Sequence, residues 1–423
     1  MIDFTLSESQ NAIRAKAAAF SSSVLKTAAA TYESHATQAE RFRALRPFYS
    51  QAVKAGLLRG LIPKPFGGDG GTVVEATLLV EELCKYDRSL SLTLLSNGLG
   101  LSSLLTAGSK EQKEELLAPF LSKEGEPLAS LLLTEPQGVA NWLEKGGKGL
   151  QTLARKDGDD WIINGEKIWA TNCSGWDDRG ADIQCVVCRL SQDSKDQDPE
   201  ADPEAATMIL LVTRDQIASN KPDAYQVLKH IESTGYSATA GPHVKFTEFR
   251  VPGHRLLAPP GQAGAVITRA FASGGAMVGA MSTGIMAATF EAALEFAKTD
   301  SRGGAQSLLA RPSVSDILMD IKMRTDAARF LTWKAASALD NGKGQELALE
   351  AKLFCSDLAV KVVVDAMTVV GVSSYNKESP FPKLLNDAMC LPLTGGGNIG
   401  VRRRQLEQLF MADGYQPWGS TYD

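Results

Sequence analysis

Leu150-Gln-Thr-Leu-Ala-Arg-Lys-Asp-Gly-Asp-Asp-Trp-Ile-Ile-Asn-Gly-Glu-Lys-Ile-Trp-Ala-Thr171 decides the architecture. Apolar and polar residues alternate along it, the period of a strand with one face buried. Asp157-Gly158 and Asn164-Gly165 are tight-turn dipeptides, so the stretch predicts short strands joined by hairpins. The same period returns in Ile183 to Leu190, Ala205 to Val212 and His243 to Val251. A small β-sandwich or barrel is therefore expected between about Pro127 and Val251. Within it, Ser191 to Glu204 is acidic and nearly free of apolar residues, which predicts a mobile loop.

On both sides the period lengthens to that of helices. Leu6 to about Ser122 repeats apolar residues every three or four positions, with Ser7 and Gln10 spaced as a capping box. Pro63-Lys-Pro-Phe-Gly-Gly-Asp-Gly-Gly71 interrupts it as a loop; no strand-to-helix context makes its glycines a dinucleotide fingerprint. After Gly261 come an Ala- and Gly-rich helix over Ala265 to Asp300 and one opened by Arg311-Pro312-Ser313. Others cover Glu346 to Val372 and Phe381 to Asp387, and a last one starts near Asn398. The expected class is α+β, with a helical domain over 1–125, a β domain over 126–256 and a helical bundle over 257–423.

Bulk properties exclude several functions. The chain has 423 residues, 44% hydrophobic and 22% charged, which is ordinary for a globular protein with substantial cores. A formal charge of −5 argues against a nucleic-acid partner. No leader pattern, run of 18 apolar residues or peroxisomal terminus is read, so no membrane partner and a cytoplasmic location are expected. Six scattered cysteines suggest reduced thiols. Cys185 and Cys188 form a CxxC inside an expected strand, and His35, His230, His243 and His254 are isolated, so no metal is expected.

Several strings carry a family likeness. Ile62-Pro-Lys-Pro-Phe-Gly-Gly68, Leu133-Thr-Glu-Pro136, Lys167-Ile-Trp-Ala-Thr-Asn172 and Lys383 to Arg404 stand in the order in which the acyl-CoA dehydrogenase superfamily carries similar motifs. With the helical–β–helical order, the chain resembles that superfamily over its whole length. Arg46-Pro-Phe-Tyr49, Glu124-Gly-Glu-Pro-Leu-Ala-Ser130, Ala140-Asn-Trp-Leu143 and Asn398-Ile-Gly-Val-Arg-Arg-Arg-Gln405 resemble its fungal nitroalkane oxidase branch. The resemblance implies an FAD-dependent oxidoreductase, and a homotetramer, as is usual for that fold. It places Trp169, with Ala170, against the flavin ring and Thr171 near its N5 atom, with Leu131, Leu133 and Thr134 along the pyrimidine edge. Arg302 would meet the FAD pyrophosphate, a contact suited to a guanidinium. Val139, Ala140, Asn141, Leu393, Thr394 and Gly397 join the implied cofactor set, as do Met367, Thr368 and Gly371. That last turn departs from the family's usual Gln and Gly pair, and Arg311-Pro312 stands where relatives commonly carry His-Gln.

The likeness also exposes a gap. Most of the superfamily carries an Asp or Glu directly before the Gly pair, a carboxylate that removes the substrate proton; here that position is Gly395. The Arg seven residues later is kept as Arg402, and a supporting Ser position falls at Gly274. Thr134-Glu-Pro-Gln-Gly-Val139 lacks the Gly-Ser-Asp continuation that helps hold acyl-CoA. A small anionic substrate meeting Arg402 is expected instead. Three readings stay open: an oxidase or dehydrogenase of carbon acids that needs no strong base, a flavin monooxygenase, and a non-redox flavoprotein. Asp177, Cys173 and Tyr375 are candidate replacement bases. Of the run Arg402-Arg403-Arg404, two arginines are expected to lie on a solvated face.

Overall fold

Ser7 starts the first helix as a reciprocal cap: its amide donates to the Gln10 side chain at 2.9 Å and its hydroxyl accepts from the Gln10 amide at 3.3 Å. The computed structural model describes residues 4–191 and 202–422, so most of the acidic loop expected after Ser191 lies outside the described residues. Thr72 and Glu75 repeat the capping box for Val73–Tyr86. Asp87 then caps Arg88–Ala107 by accepting from the Leu90 amide at 2.8 Å. Trp176, from the β domain, stacks on Phe42 at 4.5 Å between ring centroids and meets Tyr49 edge-on, so this helical core closes against the sheet.

The strands are β1 Ala129–Leu132, β2 Leu153–Asp157, β3 Asp160–Lys167, β4 Ile183–Leu190, β5 Thr207–Thr213, β6 Tyr225–Lys229, β7 His243–Val251 and β8 Leu256–Ala258. They form one mixed sheet in the order β6-β7-β3-β2-β4-β5-β8, with β1 parallel to β4. Ile183, Cys185 and Val187 of β4 face the helices, whereas Val186 and Cys188 pack with Trp161, Ile163, Phe246 and Phe249 of β3 and β7. The sheet therefore curls around its own core. Cys185 and Cys188 point to opposite faces, so the CxxC spacing cannot serve one metal ion. Asp157-Gly158 makes the β2–β3 turn, but Asn164-Gly165 does not make a second one. It lies inside β3, where the register with β7 shifts, and a Cβ on Gly165 would come 2.5 Å from Thr152 Cα. Close approach at a β-bulge, not chain reversal, requires that glycine.

The C-terminal bundle contains Gly274–Thr299, Pro312–Asp340, Gln345–Val370 and Pro380–Cys390. The helix expected from Ala265 to Asp300 is broken: Ala263–Ala270 ends, and three-residue hydrogen bonds tighten the chain through Phe271 and Ala272 before Gly274. A Cβ on Gly275 would strike Ala348 O at 2.2 Å, so the first and third long helices meet backbone to backbone. A buried weld joins the chain's three parts: Arg88 pairs with Asp387 at 2.9 Å, and Asp387 accepts from the Tyr236 amide at 2.6 Å. Among the described residues, two segments, Arg88–Ala107 and Ala263–Thr299, are long and apolar enough to cross a membrane by length and composition, and just over half of the most apolar stretch of each is buried inside the fold.

Candidate functional site

Two motifs more than thirty residues apart are welded at the end of β3. Lys167, wholly buried, donates Nζ to Glu135 Oε1 at 2.8 Å and to Leu133 O at 3.1 Å. Glu135 also accepts the amides of Gln151 at 2.6 Å and Thr152 at 2.9 Å. Burial pushes its carboxyl up, but Lys167 and these donors outweigh it and hold the group below the usual range. The Ile168 amide donates to Thr134 O, and the Ser130 hydroxyl to Thr171 O at 2.8 Å. Leu131, Leu133 and Thr134 are thereby fixed beside Ile168–Thr171, and Ala170 is buried beneath. Trp169 sits at φ +61° with 55% of its surface exposed. A bulky residue in that region costs about 1–3 kcal/mol, which the surrounding welds must hold. An exposed indole on a rigid base is a plate for a planar ring, and this geometry fits an isoalloxazine.

The second cluster surrounds Gly395. Lys352, on Gln345–Val370 and 1% exposed, grips both ends of the preceding turn, donating to Leu391 O at 3.1 Å and Asn398 Oδ1 at 2.6 Å. Asn398 in turn donates to Ser356 Oγ and Asp357 Oδ1. The held turn runs through Gly395, Gly396 and Gly397 at φ +59°, +97° and +63°. Arg402 folds back over it: Nε donates to Gly395 O at 2.7 Å and Nη1 to Gln405 Oε1 at 2.8 Å, with the guanidinium 5.6 Å from the Phe271 ring centre. It lies so close that a Cβ on Gly396 would come 3.0 Å from its Nε. Among the described residues neither Arg402 nor Lys352 has a carboxylate within ion-pair distance. Burial lowers the pKa of Arg402; burial and then Arg402 bring Lys352 down to about 8. A Cβ on Gly395 would meet only Lys352 Cε, at 4.0 Å, and one on Gly274 only Phe271, at 3.9 Å. Gly274, Phe271, Arg402, Gly395 and Lys352 thus form one chain of neighbours with space at both glycines.

The remaining expected site residues fall into other groups. Arg302, itself at φ +52°, donates to Val370 O and to Ser373 Oγ and lies over Phe296, which brings it to the Met367–Gly371 turn. Met367 is half-buried there, and the Thr368 hydroxyl donates to Val364 O. Arg404 donates to Asn141 Oδ1 and Ala140 O, both at 2.8 Å, and Val139 packs on the N-terminal core. Arg403 pairs with Asp357. The two arginines expected to be merely solvated are exposed, yet each ties the helix Arg403–Phe410 to another part of the chain. Leu393 and Thr394 are exposed on the turn before Gly395.

The replacement bases do not gather at Gly395. Asp177 accepts both ends of the Arg214 fork, at 2.9 and 2.8 Å, which holds its carboxyl low. Cys173 is fully buried and its thiol is pushed far up by that burial, while Tyr375 is 82% exposed. Sequence reading missed Lys352. The available signal was a lysine at helical spacing between Ala348, Cys355 and Ala359, in a stripe that is otherwise apolar. Among the described residues no cluster of His, Cys, Asp or Glu could hold a metal.

Residues 7–124 match the acyl-CoA dehydrogenase N-terminal domain and residues 263–409 its C-terminal domain. The chain belongs to the acyl-CoA dehydrogenase family of FAD-dependent oxidoreductases. It is 47% identical to a nitroalkane oxidase of Fusarium oxysporum, over 100% of this chain and 98% of that protein. It is 48% identical to one of Podospora anserina, over 100% and 99%. A nitroalkane oxidase structure in complex with spermine, a competitive inhibitor, superimposes with a TM-score of 0.97 at 47% identity, each chain covered completely.

Proposed function

We propose that the chain is a nitroalkane-oxidase-like FAD enzyme that oxidises small anionic carbon acids, such as nitronates, rather than acyl-CoA. One observation carries this: Arg402 lies half-buried, with no carboxylate partner among the described residues, against a glycine whose side-chain position is open. A solved relative is described through the roles of an aspartate and an arginine seven positions apart in nitroalkane oxidase. Gly395 and Arg402 keep that spacing and lack the acid. Bound FAD supplies the acceptor for the substrate's hydride or electron pair. The chain's own residues hold Trp169 as a wall and set Arg402 against the negative oxygens. General base catalysis contributes about 10²–10⁴-fold, so a site without a base suits a substrate whose proton is already gone.

The residues offered above as FAD contacts belong to the same proposal, as do a homotetrameric assembly and a reducing, cytoplasmic location. Met319, Met323 and Phe330 are exposed along Pro312–Asp340, and Phe354 and Val364 along the next helix, an apolar surface that favours association. The six cysteines are free.

The test is anaerobic mixing of the purified yellow protein with nitroethane or with its preformed nitronate at one pH. The nitronate should bleach the flavin about 10²–10⁴-fold faster. Equal rates would overturn the anionic preference. Bleaching by reduced pyridine nucleotide alone would point to a monooxygenase, and no bleaching at all to a non-redox role.

A further inference from the structure

Lys352 does not belong to any expected set, yet it stands beside the space at Gly395. Two of its three protons go to the neutral oxygens of Leu391 and Asn398. Arg402 spends two nitrogens on neutral oxygens, and its Nη2 has no acceptor among the described residues. The nearest acidic group on the same helix, Asp357, is already engaged: Oδ1 accepts from Asn398 at 2.8 Å and Oδ2 from Arg403 at 3.0 Å. Buried Lys352 and half-buried Arg402 therefore share one neighbourhood in which, among the described residues, neither has a carboxylate within ion-pair distance, an expensive arrangement unless an anion completes it.

We propose that the space beside Gly395 is a binding subsite for a planar two-oxygen anion, a carboxylate or nitronate, walled by Arg402 and Lys352. The inference rests on the reading that a ligand enters beside Gly395, and it adds Lys352 as a residue that determines specificity. The shape fits. A Cβ at position 395 would meet only Lys352 Cε, at 4.0 Å, so the space directly beside the glycine is open. A guanidinium suits two parallel oxygens, and an ammonium adds a point charge from another side. The site should select against cations in the same space. The anion can come from the substrate itself or from a free small carboxylate, and the two sources compete for one place.

The experiment is calorimetric titration of the FAD-loaded protein with acetate at constant ionic strength, for the natural chain, Lys352→Met and Gly395→Asp. Acetate should bind the natural chain. It should bind at least about tenfold more weakly to Lys352→Met, the scale of losing one close charge partner. Gly395→Asp supplies its own carboxylate and should abolish the binding, which keeps the test valid if Lys352→Met fails to fold. Acetate should also compete with nitronate in the bleaching assay. No acetate binding, or unchanged binding in either folded variant, overturns the subsite. Nitronate oxidation that acetate never inhibits overturns the subsite while leaving the proposed function standing. Acetate binding that follows the expected variant pattern, without any bleaching by nitronate, supports the subsite and overturns the function.

Discussion

Gly395 holds a left-handed backbone that most side chains avoid, but Asp and Asn enter it several-fold more readily than other residues. Restoring an acid there is therefore structurally tolerable. Gly395→Asp should raise kcat/KM for neutral nitroethane by about 10²–10⁴-fold while weakening the preference for nitronate, as measured by oxygen uptake. The reverse side of the site is Lys352. Its folded pKa of about 8 lies below its ordinary value of 10.5 because burial and Arg402 disfavour its charge. The groups around it are Arg402, Asp357, Asn398 and Cys390, whose thiol is pushed up to about 11. Anion binding that needs charged Lys352 should be strong below about pH 8 and weaken as pH rises past it, read by acetate titrations across pH. The linkage has the opposite sign for stability. Between about pH 8 and 10.5 the unfolded chain binds the proton that the folded chain has lost, so this group's contribution to stability rises with pH.

At the scale of elements, the Glu135–Lys167 pair fastens the end of β1 to the end of β3 and so holds Trp169 in its strained conformation. Glu135→Gln leaves a buried ammonium with no counter-charge. It should cost about 3–5 kcal/mol in urea unfolding and loosen FAD, seen as flavin released on gel filtration. Because the folded carboxyl lies below its ordinary range, its contribution is complete above the usual Glu pKa and is lost as pH falls through the depressed value. The alternation from Leu150 to Thr171 made the β domain legible, and Asp157-Gly158 made its turn so. Asn164-Gly165 misled because the same dipeptide serves a tight turn and a bulge; the neighbour at Thr152 Cα decides which. The break at Phe271 was equally hidden, since apolar, Ala- and Gly-rich sequence runs as helix on both sides of it.

Across the whole molecule, the exposed apolar residues of the bundle give the proposed homotetramer a test. Met323→Glu and Phe354→Glu place charges on that surface without touching the buried cores. Each should shift the protein to smaller species in sedimentation equilibrium; an unchanged mass would overturn association through this surface. The helical–β–helical order, the motif strings, the glycine at 395 and the arginine seven residues on were all determined by the sequence alone. Periodicity and short strings are local properties, and they survive without coordinates. Only the tertiary structure decided that Lys352 stands beside Gly395, that Asp357 is already engaged, and that, among the described residues, no carboxylate lies within ion-pair distance of Arg402. Those facts depend on which side chains, distant in the chain, share one buried space, and no local pattern encodes that.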